Sequence, residues 1–372
     1  RDAETGEIKS RVRDPSGGIP SFALRPACSR IATAGLDGAI REWALATGNL
    51  LQLYQGQSSQ LLALKYSKKG HYLASGDWNG KVKVWETLDN RRNYGSHRFS
   101  SGTVGRIEDM AFRFRDSALA LITTARQLQT RESSTGNLIQ EHSIDIHIPI
   151  SGPIRSAAFD GKGHLLAGID GQDRSSLKIW DVETGKEKHS YPGHEHQNQH
   201  MIYRVAFSAN GKRVAAAGGN YPAISPEKIG QLKVWDIPGN EPDSSAAPVL
   251  LIEQQGIYFT GLALNPEGNK LAASGFHQPS EPGERQAARE YSLAIWDLPS
   301  GSKTPLPSPD APLSAIAFSN NGRIMAAGAR TGLIQLYETD TGKSQIEIRG
   351  PDGLEDLAFS PDGKRLAGVT RL

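Results

Sequence analysis

The stretch VAFSANGKRVAAAGG at residues 205–219, followed by VWDIPGN at 234–240, decides the fold because both parts recur along the chain. The first part consists of two short apolar strands around a polar turn, and the second part is one strand that runs into a tight turn. Glycine in these turns supplies the positive φ that a bulged hairpin needs. Such a repeat points to an architecture built from copies of one small unit.

The two parts recur over nearly the whole chain. Copies of the first part lie at 22–35, 64–76, 110–123, 157–169, 262–275, 316–329 and 357–369. Copies of the second part lie at 1–7, 42–49, 84–90, 130–137, 179–186, 295–301 and 336–343. Because both parts recur together, the repeat is a stronger signal than any single motif would be.

These strings resemble WD40 repeats, and the turn FSPDGK at 359–364 resembles those of bacterial members of the family. The namesake Trp-Asp dipeptide stands at 180–181, 235–236 and 296–297, with close variants at 85–86 and 337–338. The resemblance implies an all-β propeller in which each blade has four strands, named a to d. Since a single blade cannot bury both of its apolar faces, blades stack in a ring.

The resemblance predicts a WD40 β-propeller with seven full four-stranded blades and an eighth blade split between the termini. The predicted blades cover about 17–56, 57–100, 101–146, 147–192, 193–255, 256–308 and 309–349, and the split blade joins 350–372 to 1–10. Most of strand c is missing from the split blade, since Leu372 precedes it and Arg1 stands at the tryptophan position. We therefore expect a fragment of a longer protein that is open or strained at this seam.

Many WD40 blades carry a buried network in which Asp, His and Ser or Thr surround the tryptophan. In this sequence only the pair Gly193-His194 matches the position of the family's histidine. Asp37 matches the turn position of the aspartate before Trp43, but its blade has no matching histidine. The sequence therefore predicts that this network is mostly absent.

Composition narrows the classes of function. The formal net charge of the 372 residues is only +2, which makes nucleic-acid binding an unlikely function. No apolar run approaches the roughly 20 residues of a membrane span, so no membrane association is predicted. Cys28 is the only cysteine, which favours a reducing compartment, and we expect a cytoplasmic protein. Sequence motifs for hydrolases, nucleotide binding and zinc proteases are missing, so we predict no enzyme and no cofactor.

One stretch, GHEHQNQH at 193–200, has two interpretations. His194, His196 and His200 could in principle hold a zinc ion, because alternate residues of an extended strand face one way. The alternative is a polar loop between blades four and five, with His194 left over from the family's Gly-His pair. The sequence favours the loop, and we predict no metal.

The predicted binding surface is the top face, on which the b–c and d–a loops of WD40 propellers meet. Three long loops, 192–200, 219–230 and 276–291, belong to blades five and six. Loops on a rigid scaffold commonly bind partners, although inserted loops can also be neutral variation in length. The candidate partner-binding residues are Trp78, Tyr221, Phe276, His277, Arg285 and Arg289. For the aromatic candidates, local packing under a loop is the alternative.

Three hypotheses for function remain open at this point. The resemblance favours a non-catalytic scaffold or sensor module that binds proteins or peptides, within a larger bacterial protein that could carry a fused kinase, NTPase or peptidase domain. The second hypothesis is a propeller enzyme of hydrolase or dehydrogenase type, with its site at the central channel. The third is a structural spacer.

Overall fold

The computed structural model describes residues 2, 5–26, 29–55, 57, 59–87, 97–102, 105–113, 116–146, 157–160, 162–169, 176–192, 200–220, 229–238, 247–277, 290–308, 311–350 and 352–370. These residues form antiparallel strands joined by turns, and none of them lies in an α-helix. Glycine makes the short turns possible: Gly211 and Gly268, between the first two strands of their blades, have φ values of 71° and 76°. The predicted all-β fold is confirmed.

The first four sheets each contain four strands in chain order. Blade one consists of β1 (Ser21–Leu24), β2 (Arg30–Ala34), β3 (Ile40–Ala44) and β4 (Leu50–Tyr54). Blade two consists of β5 (Leu61–Tyr66), β6 (Tyr72–Asp77), β7 (Lys81–Glu86) and β8 (His97–Gly102). Blade three consists of β9 (Ile107–Arg113), β10 (Ala118–Thr123), β11 (Gln127–Glu132) and β12 (Leu138–Ser143). Blade four consists of β13 (Ala157–Phe159), β14 (Leu165–Ile169), β15 (Leu177–Asp181) and β16 (Glu187–Tyr191).

Three more four-stranded sheets and one two-stranded sheet follow. Blade five consists of β17 (His200–Phe207), β18 (Arg213–Asn220), β19 (Ile229–Asp236) and β20 (Leu250–Gln255). Blade six consists of β21 (Ile257–Leu264), β22 (Lys270–His277), β23 (Tyr291–Asp297) and β24 (Lys303–Leu306). Blade seven consists of β25 (Leu313–Phe318), β26 (Ile324–Ala329), β27 (Leu333–Glu338) and β28 (Ser344–Arg349). Blade eight has β29 (Leu354–Phe359) and β30 (Leu366–Thr370).

The blades follow one another around a ring. The first strand of each blade contacts the first strand of the next, from β1 through β5, β9, β13, β17, β21 and β25 to β29. First strands therefore lie nearest the centre, and fourth strands form the outer rim. Seven full blades and a partial eighth agree with the predicted count.

The core consists of apolar layers between neighbouring blades. In one layer Leu177 and Ile179 of blade four pack against Val214 and Trp235 of blade five, and all four are fully buried. The ring of Trp235 also stacks on Tyr191, with centroids 5.2 Å apart. Burying one large apolar side chain stabilises the fold by about 1.5–3 kcal/mol. The repeat supplies an aromatic residue at the position of Trp235 in six of the seven complete blades, and stacking the blades in a ring buries them; in blade three Arg131 takes the position.

Between blades one and two, the core contains a fully buried carboxylate, Glu42 of β3. Its Oε1 accepts a hydrogen bond of 2.6 Å from the hydroxyl of Tyr66, and its Oε2 pairs with Arg30 Nη1 at 3.1 Å. Burial, assisted by the negative charge of Glu42, holds the pKa of Tyr66 well above its ordinary value. A buried charge is tolerated only when it has partners. These three residues thus join the two blades as one polar unit.

The bottom face carries the turns between the first and second strands of the blades, and side chains there bond to the backbone of the next blade. Arg25 Nη2 of blade one donates to the carbonyl of Thr87 in blade two at 2.8 Å. Asp116 of blade three accepts from the backbone N–H of Lys68 in blade two at 3.0 Å. Asn320 of blade seven donates to a carbonyl of blade eight at 2.7 Å. The bottom face is therefore tied together between blades.

The two ends of the chain meet in blade eight. Asp2 forms an antiparallel bridge with Arg365, directly before β30. This is the register in which Asp297 faces Lys270 in blade six. The N–H of Gly6 donates to the carbonyl of Asp2 at 3.1 Å, as in the corresponding turn of the complete blades. The eighth blade is thus split between the termini, as the sequence predicts.

Candidate functional site

The top face carries the turns between the second and third strands of each blade, and Trp78 lies in this turn of blade two. Its side chain is 52% exposed. Buried Asp77 fixes the turn, because its Oδ1 accepts from the backbone N–H groups of Asn79 at 3.0 Å and Lys81 at 2.7 Å. The N–H of Trp78 donates to the carbonyl of Gln60 at 2.9 Å. A partner would therefore meet an indole on a backbone that is already ordered.

Arg106, directly before β9 of blade three, lies over this indole. Its guanidinium carbon is 4.8 Å from the ring centre of Trp78, and its Nε donates to Oε1 of Glu108 at 2.7 Å. A guanidinium over an indole face contributes about 0.5–1 kcal/mol at an exposed site. We call Trp78, Arg106 and Glu108 the Trp78 patch. It presents apolar area beside a cation and a carboxylate, and two of its residue types, Trp and Arg, are enriched in interface hot spots.

Sequence reasoning found Trp78 but missed its two neighbours. Arg106 and Glu108 belong to the next blade, so no local motif connects them with the turn at 77–80. The signal that could have found them is the repeat itself. It places the residues just before strand a of one blade beside the b–c turn of the preceding blade.

Phe276 and His277 end β22 of blade six, at the base of the loop at 276–291. The ring of Phe276 lies 5.3 Å from that of Tyr258, which lies 4.9 Å from Tyr203 of blade five. The N–H of His277 donates to the carbonyl of Glu290 at 2.8 Å and closes the base of the loop. Phe276 thus shows the local packing that the sequence left as the alternative, and a role in partner contact stays a prediction.

Several candidates cannot be placed. Tyr221, Arg285, Arg289, His194 and His196 lie outside the described residues, as does the side chain of His200. The strands that flank the loop at 219–230 are paired at its base, where Gly219 near the end of β18 faces Gly230 near the start of β19. Partner contact and the lack of a metal at the histidines both stay predictions.

A buried polar network lies under the top face of blade one. The indole N–H of Trp43 donates to Oγ1 of Thr33 at 2.9 Å, and this hydroxyl donates to Asp14 Oδ2 at 2.8 Å. Arg41 bridges two carboxylates, at 3.0 Å from Asp14 and 2.6 Å from Asp37. The hydrogen bond from Arg41 holds the pKa of Asp37 below its usual value. Asp14, from the segment before strand a, thus stands where the family pattern has a histidine.

Blade two repeats this arrangement with an amide. The indole N–H of Trp85 donates to the hydroxyl of Ser75 at 3.2 Å, and that hydroxyl donates to Oε1 of Gln57 at 2.8 Å. The prediction of a mostly absent network is therefore wrong for blades one and two, because Asp14 and Gln57 supply the acceptor that histidine supplies elsewhere. A search limited to Gly-His pairs could not detect this replacement.

Blades five and six lack the network. Ala216 and Ala273 take the strand-b position that Thr33 has in blade one, so there is no hydroxyl at that position. Among the described residues, the indole N–H groups of Trp235 and Trp296 have no hydrogen-bond partner. These blades rely on apolar packing, as the sequence predicts.

One form of the alternative enzyme site at the channel would be a metal centre built from the described residues. They contain no group of three or more His, Cys, Asp or Glu side chains that could hold a metal. Near the centre, Lys65 of blade two and Asp109 of blade three form a long ion pair of 3.9 Å. No described helix is long and apolar enough to cross a membrane.

Comparison with known proteins agrees with this geometry. Residues 48–86 and 185–221 match the WD40 family, described as WD domain, G-beta repeat. Sqt1 from Chaetomium thermophilum superposes with a TM-score of 0.73 at 17% identity, covering 98% of this chain and 97% of that one. This chain folds as a WD40 β-propeller. The computationally designed Ika8 protein is similar too, with a TM-score of 0.67 at 21% identity over 97% of this propeller and 98% of Ika8.

The match to curated relatives covers only part of their length. Transducin beta-like protein 3 from Bos taurus is 24% identical over 194 residues, which are 51% of this propeller and 23% of that protein. The propeller thus spans only a part of such relatives. Since relatives of this kind are eukaryotic, they support the WD40 repeat but not a bacterial origin. Sqt1 is also known in a structure bound to the N-terminus of the ribosomal protein L10, with a TM-score of 0.72.

Proposed function

We propose that this propeller is a non-catalytic protein-interaction module that binds a protein or peptide on its top face. The observation that carries the proposal is the 52% exposure of Trp78 on a turn fixed by buried Asp77. An exposed indole normally lowers solubility. When its backbone is already ordered, an indole offers a partner a large contact area for a small loss of conformational entropy on binding. The complex of the similar Sqt1 propeller with a peptide segment of another protein adds support.

The proposed surface extends to the long loops of blades five and six. The loops at 192–200, 219–230 and 276–291 carry Tyr221, Arg285 and Arg289, whose aromatic and charged side chains suit a binding rim. Prolines in all three of these loops lower the entropy that ordering on a partner would cost. A large partner would touch both these loops and the Trp78 patch.

The wider setting also belongs to the proposal. The module would act as a scaffold or sensor, in the cytoplasm, within a larger protein whose fused kinase, NTPase or peptidase domain it serves. The FSPDGK turn at 359–364 is the basis for proposing a bacterial source. Sequencing the gene on both sides of this region tests these points directly.

A quantitative pull-down from a lysate of the source organism tests the surface. Trp78→Ala is compared with Ile139→Ala, because Ile139 is equally exposed at 52% but lies on the outer strand of blade three. A third variant replaces the loop at 276–291 by a short Asn-Gly turn. Short turns also join the second and third strands in other blades, such as blades one and two.

We expect Trp78→Ala to reduce capture of the main partner about tenfold, in the range of a moderate hot spot, while Ile139→Ala leaves it unchanged. The shortened loop should also reduce capture. Equal capture by all three variants, each with an unchanged circular dichroism spectrum, would contradict a top-face site.

A further inference from the structure

The first strands of the eight blades share one position that is alanine everywhere except in blade two. In the other seven blades this alanine faces an alanine of the second strand, and its members are Ala23, Ala111, Ala158, Ala206, Ala263, Ala317 and Ala358. In blade two Lys65 takes the position, opposite Ala74. Small side chains suit a place where the first strands crowd around the centre, so packing does not explain a lysine there.

Lys65 extends into the solvent of the central channel. Its neighbours Leu64 and Tyr66 belong to the layer between blades one and two, so Lys65 faces blade three. There its Nζ lies 3.9 Å from Oδ1 of Asp109, beyond hydrogen-bond distance, and its side chain is 51% exposed. Because β5 is the strand of blade two nearest the centre and Lys65 lies close to its end, this ammonium group is at the lower part of the channel.

Two more exposed lysines, Lys68 and Lys69, lie in the turn that follows β5 on the bottom face. Asp116 of blade three accepts from the backbone N–H of Lys68 at 3.0 Å and of Lys69 at 3.3 Å. These bonds fix the backbone of the turn and leave both ammonium groups on the surface. One ordered segment of five residues therefore brings three cations to the lower mouth of the channel.

The corresponding turns of blades four and five continue this positive charge. A Cβ on Gly163 in the turn of blade four would lie 2.8 Å from Cγ of Arg113 in blade three, and a Cβ on Gly211 in the turn of blade five would lie 3.3 Å from Oδ2 of Asp160 in blade four. The turns of blades two to five thus touch one another around the mouth. We call the exposed lysines of β5 and of these turns the basic arc: Lys65, Lys68, Lys69, Lys162 and Lys212.

The acids described in the turns of the arc are buried, whereas two acids in the turns of other blades are exposed. Asp116 and Asp160 are each 6% exposed, and Asp160, like Asp116, accepts hydrogen bonds from backbone N–H groups. In blades six and eight the same turn exposes Glu267 and Asp362. Among the described residues, Lys65 alone of the arc has a carboxylate within 4 Å. The arc therefore presents positive charge to solvent.

The outer turns of blades three and four carry mostly the opposite charge. Glu132, Asp181 and Glu183 lie at the turns between the third and fourth strands, with Lys186 as the one cation of these turns, and the side chain of Glu183 is 63% exposed. Since the fourth strands form the outer rim, these acids lie outside the arc. A long polyanion that crosses the rim meets repulsion, whereas a compact anion at the channel mouth meets cations.

We propose that the basic arc binds a compact, soluble polyphosphate at the lower mouth of the channel. Lys65 contacts the ligand from the channel, and Lys68 and Lys69 contact it from their turn. Lys162 and Lys212 add positive charge along the arc. Lysine ammonium groups pair with phosphate oxygens as point charges, and a ligand with several phosphates engages several of them at once. This site is separate from the proposed partner surface, because it lies on the opposite face.

Isothermal titration calorimetry of the full chain with inorganic tripolyphosphate, in buffer without divalent metals, tests the site. Lys65→Ala restores the alanine of the other seven blades and so keeps the fold. A triple variant adds Lys68→Ala and Lys69→Ala. Lys343→Ala is the matched control, because Lys343 is an exposed lysine of the bottom face but lies in the outer turn of blade seven.

We expect saturable one-to-one binding in low salt. Lys65→Ala should weaken it about three- to fivefold and the triple variant more than about tenfold, whereas Lys343→Ala should change it less than about twofold. Raising the salt from about 20 to about 200 mM should also weaken binding, since salt screens exposed charges. Absence of saturable binding, or equal losses from Lys65→Ala and Lys343→Ala, would overturn the proposal.

Two further measurements locate the ligand and separate its sources. Acylation of lysines by an N-hydroxysuccinimide ester, followed by mass spectrometry, should show protection of Lys68 and Lys69 by tripolyphosphate and none of Lys343. Vesicles that contain phosphatidylinositol 4,5-bisphosphate offer the same phosphate chemistry from a membrane, and a single-stranded oligonucleotide offers it as a polymer. We expect tripolyphosphate to compete with both; tighter binding to either one, or protection of Lys343 alone, would contradict a site for a compact soluble anion. Trp78→Ala should be neutral in every assay, so this site and the top face can fail separately.

Discussion

The top and bottom faces of this propeller use their polar side chains differently. On the bottom face, Arg25 and Asp116 bond to backbone groups of the neighbouring blade, at 2.8 and 3.0 Å. On the top face, the carboxylates of Asp14 and Asp77 are buried and accept hydrogen bonds from residues of their own blades. Trp78 remains exposed above this buried layer. From this difference we expect the bottom face to stabilise the ring, and it agrees with our proposal that the top face presents side chains to a partner.

The largest effect on stability should come from the bottom face. Arg25→Ala removes bonds to the carbonyls of Gly70 and Thr87, at 3.1 and 2.8 Å. The Gly70 carbonyl still accepts from the hydroxyl of Thr87, whereas the buried Thr87 carbonyl loses a charged donor. We expect a loss of about 2–3 kcal/mol in the free energy of unfolding, measured with urea. Partner capture by the folded variant should not change. A stable Arg25→Ala protein with impaired capture would reverse the roles of the two faces.

A smaller effect is expected for the buried layer under the top face. Thr33→Val keeps the shape of the side chain but removes the hydroxyl that joins Trp43 to Asp14. The loss should be about 1–3 kcal/mol, because two buried polar groups lose a partner. Thr33→Ser is the matched control, since it keeps the hydroxyl that bonds to Trp43 and Asp14. Equal losses from both variants would mean that packing alone matters at this position.

The free energy of unfolding should depend on pH through the ion pair of Asp37 with Arg41, which belongs to the same polar layer of blade one. The hydrogen bond from Arg41 lowers the pKa of Asp37 below 3.8, so the ionised carboxylate contributes stability above that unfolded-state value. This contribution is lost as the pH falls through the lower pKa of the folded state. Because Asp37 is 42% exposed, we expect less than about 1 kcal/mol. Urea titrations at pH 6 and about pH 3 should show a smaller acid-induced loss in Asp37→Asn than in the parent, and an equal loss would contradict this role.

The smallest effect on stability should be that of Trp78→Ala. The side chain is half in solvent, and the turn is held by Asp77 and the backbone rather than by the indole. We expect a change within about 1 kcal/mol, set by the lost contact with Arg106. Thermal unfolding followed by circular dichroism measures it. A loss of several kcal/mol would show that Trp78 is part of the core and not a binding residue.

The repeat made the architecture predictable, whereas contacts between repeats were not. The glycine turns and the Trp-Asp dipeptides fix the strand order and the seam of blade eight, down to the register of Asp2 against Arg365. The acceptors Asp14 and Gln57 were missed because different residue types can perform one hydrogen-bonding task. Arg106 was missed because its partner Trp78 lies in another blade. Sequence patterns report local structure well, but they do not report which side chains meet across blades.

The most direct test of the top-face account is photo-crosslinking from the two ends of blade two. A benzophenone amino acid replaces Asn79 in the top turn or Lys69 in the bottom turn, both exposed positions of the same blade. After irradiation with the native partner bound, we predict a crosslinked product from position 79 and none from position 69. A product from position 69 alone, or equal products from both, would contradict the claim that partners bind the top face.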